Sequence, residues 1–256
     1  MMAVIVLTSA CGAPGVTTTT LGLAINWSRP AIAVEADPVG GSSMLAGYFR
    51  GFHEPTQSVV DLLLAHRNGR LAEQFPLSLV PVEGTTASVL PGPRSHAQAR
   101  SALDLWEPLS MIWRALQAET DVLVDAGRLG MESAPTPLLR VADVVLLVTR
   151  SDLPSLAAAK QWAEQAVENR TAHPESPEWT ILLIGGGHPY TAREVEDVLG
   201  LTVISTLGLD AKGASVYSSG VNVRRPRLNK DLVDCGRKVR ENLDRADLLL
   251  APKGAS

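Results

Sequence analysis

The 256-residue chain is poor in cysteine, with only Cys11 and Cys235. Two thiols cannot build a disulfide framework, and this pair has no metal-ligand spacing. A reducing, cytoplasmic setting is the expectation. The five histidines (His53, His66, His96, His173 and His188) are scattered and form no metal spacing either. Long apolar runs are also missing, and crossing a bilayer takes about 20 apolar residues. Residues 3–11, AVIVLTSAC, have a superficial likeness to a lipoprotein leader. They lack a positive n-region, and the apolar run of about six residues is too short. Strong net charge is absent as well. At −4, with an isoelectric point near 5.8, nothing draws the whole chain to nucleic acid or anionic lipid. Any such binding must come from a local patch. Internal repeats and low-complexity segments are not found.

The composition itself is that of a globular protein, 45% apolar and 20% charged. The length suits one large α/β domain, expected over residues 1–250, with 251–256 (APKGAS) as a flexible tail. Short apolar runs predict strands at 4–7, 31–34, 88–90, 122–124, 144–148, 179–184 and 202–204. Helical spacing predicts helices at 17–27, 59–66, 105–116, 156–167, 192–199 and 232–250. Residues 67–87 and 169–178 read as irregular, polar surface loops. Strands apolar on both faces that alternate with helices predict a doubly wound, mostly parallel sheet flanked by helices.

In such a fold ligands gather at the carboxyl ends of the strands. The first predicted strand runs into residues 10–20, ACGAPGVTTTT, and then a helix. Strand, small-residue loop and helix are the context of a phosphate loop, where backbone N–H groups and a helix N-terminus favour an anion. A working loop reads G-x-x-x-x-G-K-[ST]. Aligned on Gly15, Val16 stands at the lysine, Thr17 at the magnesium ligand and Ala10 at the first glycine. Plainer readings compete: Thr17–Thr20 as a helix cap, Asp125 as a strand-end cap, Asp37 as a turn residue.

The loop resembles that of the ParA/MinD group of P-loop ATPases, K-G-G-x-G-K-[ST]-T. Further pieces follow in order. Residues 34–42, VEADPVGGS, are similar to the group's D-x-D-P-x-G-x-S segment. Residues 120–125, TDVLVD, resemble its Walker B strand, and 141–149, VADVVLLVT, the strand after it. Residues 207–210, LGLD, followed by Ser219-Gly220, resemble its late I-P-x-D…G stretch. The resemblance implies ATP and Mg²⁺ as ligands, with Gly12, Ala13, Pro14, Gly15, Val16, Thr17 and Thr18 around the nucleotide. It implies Thr17 and Asp125 around the metal, and Asp37 as the carboxylate that positions attacking water.

The same comparison exposes departures. Val16 replaces the lysine that neutralises phosphate oxygens, and Cys11 the lysine sent across the group's dimer interface. Ala13 replaces a glycine and Glu35 an aspartate. Gly185 or Gly186 stands where a base-contacting asparagine is usual. Loss of one well-placed cation costs on the order of 10³-fold in phosphoryl transfer. Little or no hydrolysis is therefore expected. Arg128 or Arg150 is a candidate substitute cation.

Near the end, Arg224, Arg225, Arg227 and Lys230 cluster and are candidates for non-specific DNA binding. A solvated loop is the competing reading, since no aromatics interleave. In 232–250 acidic and basic residues balance, and Leu232, Cys235, Val239, Leu243 and Leu250 form an apolar stripe expected to pack on the domain rather than on a membrane.

The functions in play are a dimeric ParA/MinD-like spatial organiser with a protein partner, a nucleotide-independent pseudo-ATPase scaffold, and another enzyme on the same fold. The scaffold reading resembles the branch with atypical loops that localises Tad-type pilus machinery. A receiver-like domain ahead of residue 10 is not expected.

Overall fold

The β-branched runs at residues 4–7, 122–124 and 144–148 offer no polar face, so strands built from them need cover on both sides. The computed structural model satisfies this with one eight-stranded sheet. It describes residues 2–12, 14–39, 41–53, 57–115 and 120–250, the side chains of 247–250 excepted. Ala13, the Leu250 side chain and the 251–256 tail, all singled out above, lie outside the described residues.

The strands are β1 (Val4–Ser9), β2 (Ala31–Glu35), β3 (Val80–Pro81), β4 (Ala87–Leu90), β5 (Asp121–Arg128), β6 (Val144–Arg150), β7 (Glu178–Ile184) and β8 (Val203–Leu207). Their order is β3-β4-β2-β5-β1-β6-β7-β8. All neighbours are parallel except β3, a short antiparallel edge with Pro81 in it. Proline at an edge loses no ladder bond that matters. β1 lies between β5 and β6, so the chain leaves it at the centre of the sheet.

The helices are α1 (Val16–Ile25), α2 (Val59–Arg67), α3 (Leu71–Gln74), α4 (His96–Arg114), α5 (Thr136–Val141), α6 (Leu153–Ala172), α7 (Ala192–Leu199), α8 (Ala211–Ser219) and α9 (Arg227–Leu250). One sheet face buries Ile5, Leu7, Leu146 and Val148 with residues of α1 and α9, such as Leu21, Leu23, Leu232 and Val239. The other face buries Val4, Val6, Val122 and Val124 with Leu62 of α2 and Trp106 and Trp113 of α4. On that same face Leu147, Ile181 and Leu183 meet Leu156 of α6 and Val195 of α7. The alternation along each strand assigns neighbours to opposite layers.

Several expectations need correction. Residues 67–87 are not irregular: they hold the end of α2, α3, a 3₁₀ turn at Phe75–Ser78, β3 and the start of β4. α6 continues to Ala172, into the other expected loop. α4 begins at His96, not at residue 105, because Ser95 caps it by accepting from Gln98 N at 3.3 Å. α9 likewise starts earlier, at Arg227. The expected membrane-averse stripe is buried: Leu232, Cys235, Val239 and Leu243 all sit in the core. No helix among the described residues is long and apolar enough to cross a membrane.

At the amino ends of the strands, buried Asp121 collects three donors and an ion pair. It accepts from Ala3 N at 2.9 Å, Trp27 Nε1 at 2.8 Å and Arg240 Nη1 at 3.4 Å, with Arg29 at 3.9 Å. One carboxylate thus ties β1, the end of α1, β5 and α9 together.

Candidate functional site

The loop from β1 enters α1 through Gly15, whose φ of +101° is in the left-handed region. A side chain there would be strained. Thr19 N donates to Gly15 O at 2.9 Å, but no side chain caps α1. Five other helices differ: Ser58, Ser95, Asp152, Thr191 and Asp210 cap α2, α4, α6, α7 and α8. The first-turn N–H groups of α1 have no acceptor within the helix. They open onto a cavity of about 580 Å³ lined by Gly12, Pro14, Gly15, Val16, Thr17 and Thr18, and by Asp37, Ser43, Gly127 and Arg128 from other segments. The cap reading of Thr17–Thr20 is therefore corrected. These threonines lie inside the helix, and Thr20 Oγ1 donates back to Val16 O at 2.9 Å.

β5 carries Asp125 behind the cavity wall, next to Thr17 and Gly127, which line it. The side chain is fully buried, and burial pushes its pKa up to about 7. The adjoining Thr17 hydroxyl opposes that rise, while the charges of Glu35 and Asp37 add to it. Asp125 Oδ1 accepts from Gly127 N at 2.9 Å. Oδ2 is buried with no partner in hydrogen-bonding geometry among the described residues. Such an orphan is costly unless something fills the gap. A strand-end cap explains Oδ1 but leaves Oδ2 unexplained.

Asp37 follows β2 and accepts from Val39 N at 2.9 Å, so it is a turn residue and also faces the cavity. It rests directly on Gly127. A Cβ at that position would stand 2.5 Å from the Asp37 carboxyl carbon, and the φ of +63° disfavours a side chain independently. Glu35 is structural instead. Its Oε2 accepts from Ser42 Oγ at 2.5 Å and Gly92 N at 3.2 Å, and Oε1 from Met44 N at 3.2 Å. Burial raises its pKa against these donors.

Hard oxygen groups converge here: the Thr17 hydroxyl, the unpartnered Asp125 oxygen and nearby Asp37. That donor set fits Mg²⁺. The uncapped N–H groups of α1 fit a phosphate. Val16 does not help: its side chain is 6% exposed and packs in the core, with no charge to offer.

A second cavity of about 300 Å³ lies on the β7–β8 side of the same loop. It is lined by Pro14, Thr18, Arg150, Leu207, Leu209 and Asp210. Gly185 borders it through Leu209, whose Cγ would be 2.8 Å from a Cβ at 185. The two arginines singled out above are thus divided: Arg128 lines the first cavity and Arg150 the second. Cys11 is half-buried, with Sγ 3.8 Å from Ser155 Oγ of α6. Arg224, Arg225, Arg227 and Lys230 are exposed at and before the start of α9, and none of them lines either cavity, although Leu228 beside Arg227 lines the second. Gly127 and Ser43 escaped notice in the sequence. For Gly127 the signal was the Asp-Ala-Gly run of 125–127.

A central parallel strand, an uncapped loop-to-helix entry and acidic side chains from adjacent strands define a P-loop NTPase fold. Solved structures give the fold its kind. The chain is similar to the Pyrococcus furiosus cell division ATPase MinD (TM-score 0.74, 17% identity, 94% of this chain and 100% of that one). It is also similar to a ParA family ATPase from Chlorobium tepidum (TM-score 0.72, 17% identity, 92% and 98%). A third match is the septum site-determining protein MinD of Pyrococcus horikoshii, complexed with Mg-ADP (TM-score 0.70, 15% identity, 94% and 97%). The fold is therefore that of the MinD and ParA ATPases. No protein-family model matches the chain, and no curated protein does.

Proposed function

We propose that this chain is a cytoplasmic spatial organiser of the ParA/MinD kind, which binds Mg-nucleotide at the β1–α1 loop and hydrolyses it slowly or not at all. The observation that carries the reading is the unpartnered Asp125 Oδ2 beside the Thr17 hydroxyl. Asp125 and Thr17 would hold a divalent cation at the buried oxygen, and the α1 N-terminus would hold a phosphate. Bound Mg²⁺ would neutralise phosphate charge. Thr17 and Asp125 would hold it, and Asp37 would orient water. The second cavity, with Leu207 and Leu209, suits a nucleoside.

Slow turnover follows from the missing cations. Neither Val16 nor Cys11 can stabilise charge that develops in phosphoryl transfer. Exposed apolar side chains beside the two cavities, Val39 and Leu209, suit a second copy or a protein partner across this face. Arg224, Arg225, Arg227 and Lys230 suit non-specific contact with DNA phosphates. Among the described residues, Leu232, Cys235, Val239 and Leu243 of α9 are buried in the core rather than turned to lipid.

Calorimetric titration with ATP and ADP, with Mg²⁺ and in EDTA, is the test. Magnesium-dependent binding is expected. Fast turnover that Asp37→Ala abolishes would sink the claim of slow hydrolysis. The core packing of Val16 favours a second reading, a nucleotide-independent scaffold of the kind that localises secretion or pilus machinery. Absence of binding under all conditions would select it.

A further inference from the structure

We infer that Arg128 is the anion-binding cation of the β1–α1 cavity, supplying from the end of β5 the charge that the loop itself lacks. The inference rests on the nucleotide reading and adds a binding residue to it.

The backbone builds this placement. Leu7 pairs with Asp125, and the next pair is Ser9 with Arg128, so β5 carries one more residue than β1 between them. The extra residue makes a bulge, and bulges re-aim side chains beside sites. Gly127 makes this one possible through its φ of +63°. Buried hydrogen bonds fix it. Thr8 Oγ1 donates to Gly127 O at 3.1 Å, Gly127 N donates to Asp125 Oδ1 at 2.9 Å, and Leu129 N donates to Ser9 O at 2.8 Å. The result directs Arg128 to the cavity wall, opposite the first turn of α1.

Charge makes the placement meaningful. Among the described residues, Arg128 is the one cation lining this cavity. Its hydrogen-bond partner there is the thioether Sδ of Met131 at 2.8 Å, a weak acceptor. An exposed guanidinium held on a thioether keeps most of its five donors for a ligand. Arginine forks onto phosphate oxygens with two parallel bonds, which a single ammonium cannot do. The cavity runs from the α1 N-terminus past Thr17 toward Asp37 and Arg128, so the guanidinium would meet the phosphate farthest from the nucleoside. Arg150 serves the other cavity and cannot share this role.

The test is calorimetry on the full chain with Mg-ATP, Mg-ADP and AMP, comparing wild type, Arg128→Gln and Arg128→Lys. Loss of a charge-assisted pair should weaken Mg-ATP binding roughly 10- to 100-fold in R128Q. Mg-ADP should weaken less, AMP should be unchanged, and R128K should recover part of the ATP affinity. The side chain is exposed, so the ligand-free melting temperature of R128Q should match that of wild type. Undiminished ATP binding by R128Q overturns this inference alone, as does an equal loss for AMP, which would report a general charge effect. If wild type binds none of the three, the nucleotide reading fails and this inference fails with it.

Discussion

Asp125→Asn should make the protein more stable at alkaline pH while abolishing its response to magnesium. The wild-type carboxyl is fully buried and its pKa is pushed up from 3.8 to about 7, first by burial. An acid with a raised folded-state pKa stabilises the fold through its neutral form. That contribution is complete below the unfolded value near 4 and is lost as pH rises through about 7. Three pH units at ~1.4 kcal/mol each give about 4 kcal/mol as the ceiling on the loss. Asparagine keeps the shape, still accepts from Gly127 N, and carries no charge at any pH. The two proteins should therefore melt within a few degrees of each other near pH 4.5, separate up to about pH 7 and keep a constant gap above it. At pH 8.5 the variant should lead by as much as ~10 °C, at a few degrees per kcal/mol for a domain of this size. Scanning calorimetry in EDTA from pH 4.5 to 8.5 reads this directly. Adding Mg²⁺ and nucleotide at pH 8 should raise the wild-type transition and leave that of the variant unmoved. Parallel pH curves for the two proteins would refute the description of Asp125 as a buried acid with a raised pKa.

Other outcomes follow from the same geometry. Gly127→Ala should cost about 1–3 kcal/mol in urea unfolding, from its positive φ and the crowded Asp37 carboxylate, and should impair Mg-nucleotide binding; an unchanged midpoint would contradict it. Asp121→Ala should cost about 2–5 kcal/mol, because it leaves the buried Trp27 and Ala3 donors without an acceptor and Arg240 with Asp244 alone; guanidinium denaturation measures the loss. Burial pushes the Cys235 thiol up to about 12. A thiol reagent at pH 8 should thus titrate one cysteine, Cys11, in the native protein and two in denaturant.

Much of the frame was legible because its strands are apolar on both faces. Runs such as 144–148 have no amphipathic alternative, and their alternation with helices leaves few topologies. The elements missed are those whose stability is not local. α8 and the π-helical turn at Met44–Tyr48 pack against each other, with Arg50 bonded to Ser219 O and Gly220 O, and neither has a long apolar stripe of its own. The first turns of α4 are polar and depend on the Ser95 cap. At the candidate site, Thr17, Asp37 and Asp125 could be picked out because their side chains are of the types a metal and phosphate site needs, and the fold brings them near one another. Their depth was not legible. Nothing in the sequence tells Glu35, saturated by three donors, from Asp125, one oxygen of which has none. The bulge at Gly127 was equally hidden, because an extra residue in one strand exists only relative to its partner.

The carboxylate cluster at Asp121 has a mechanical consequence. α1 begins at the cavity and, one turn past its end, Trp27 is bolted to Asp121, which also grips β1, β5 and α9. The helix is therefore a strut with its far end clamped. A ligand that pushes on its near end cannot slide it along the sheet. A displacement there would pass instead to α8, which packs along α1 and in turn against the turn at 44–48.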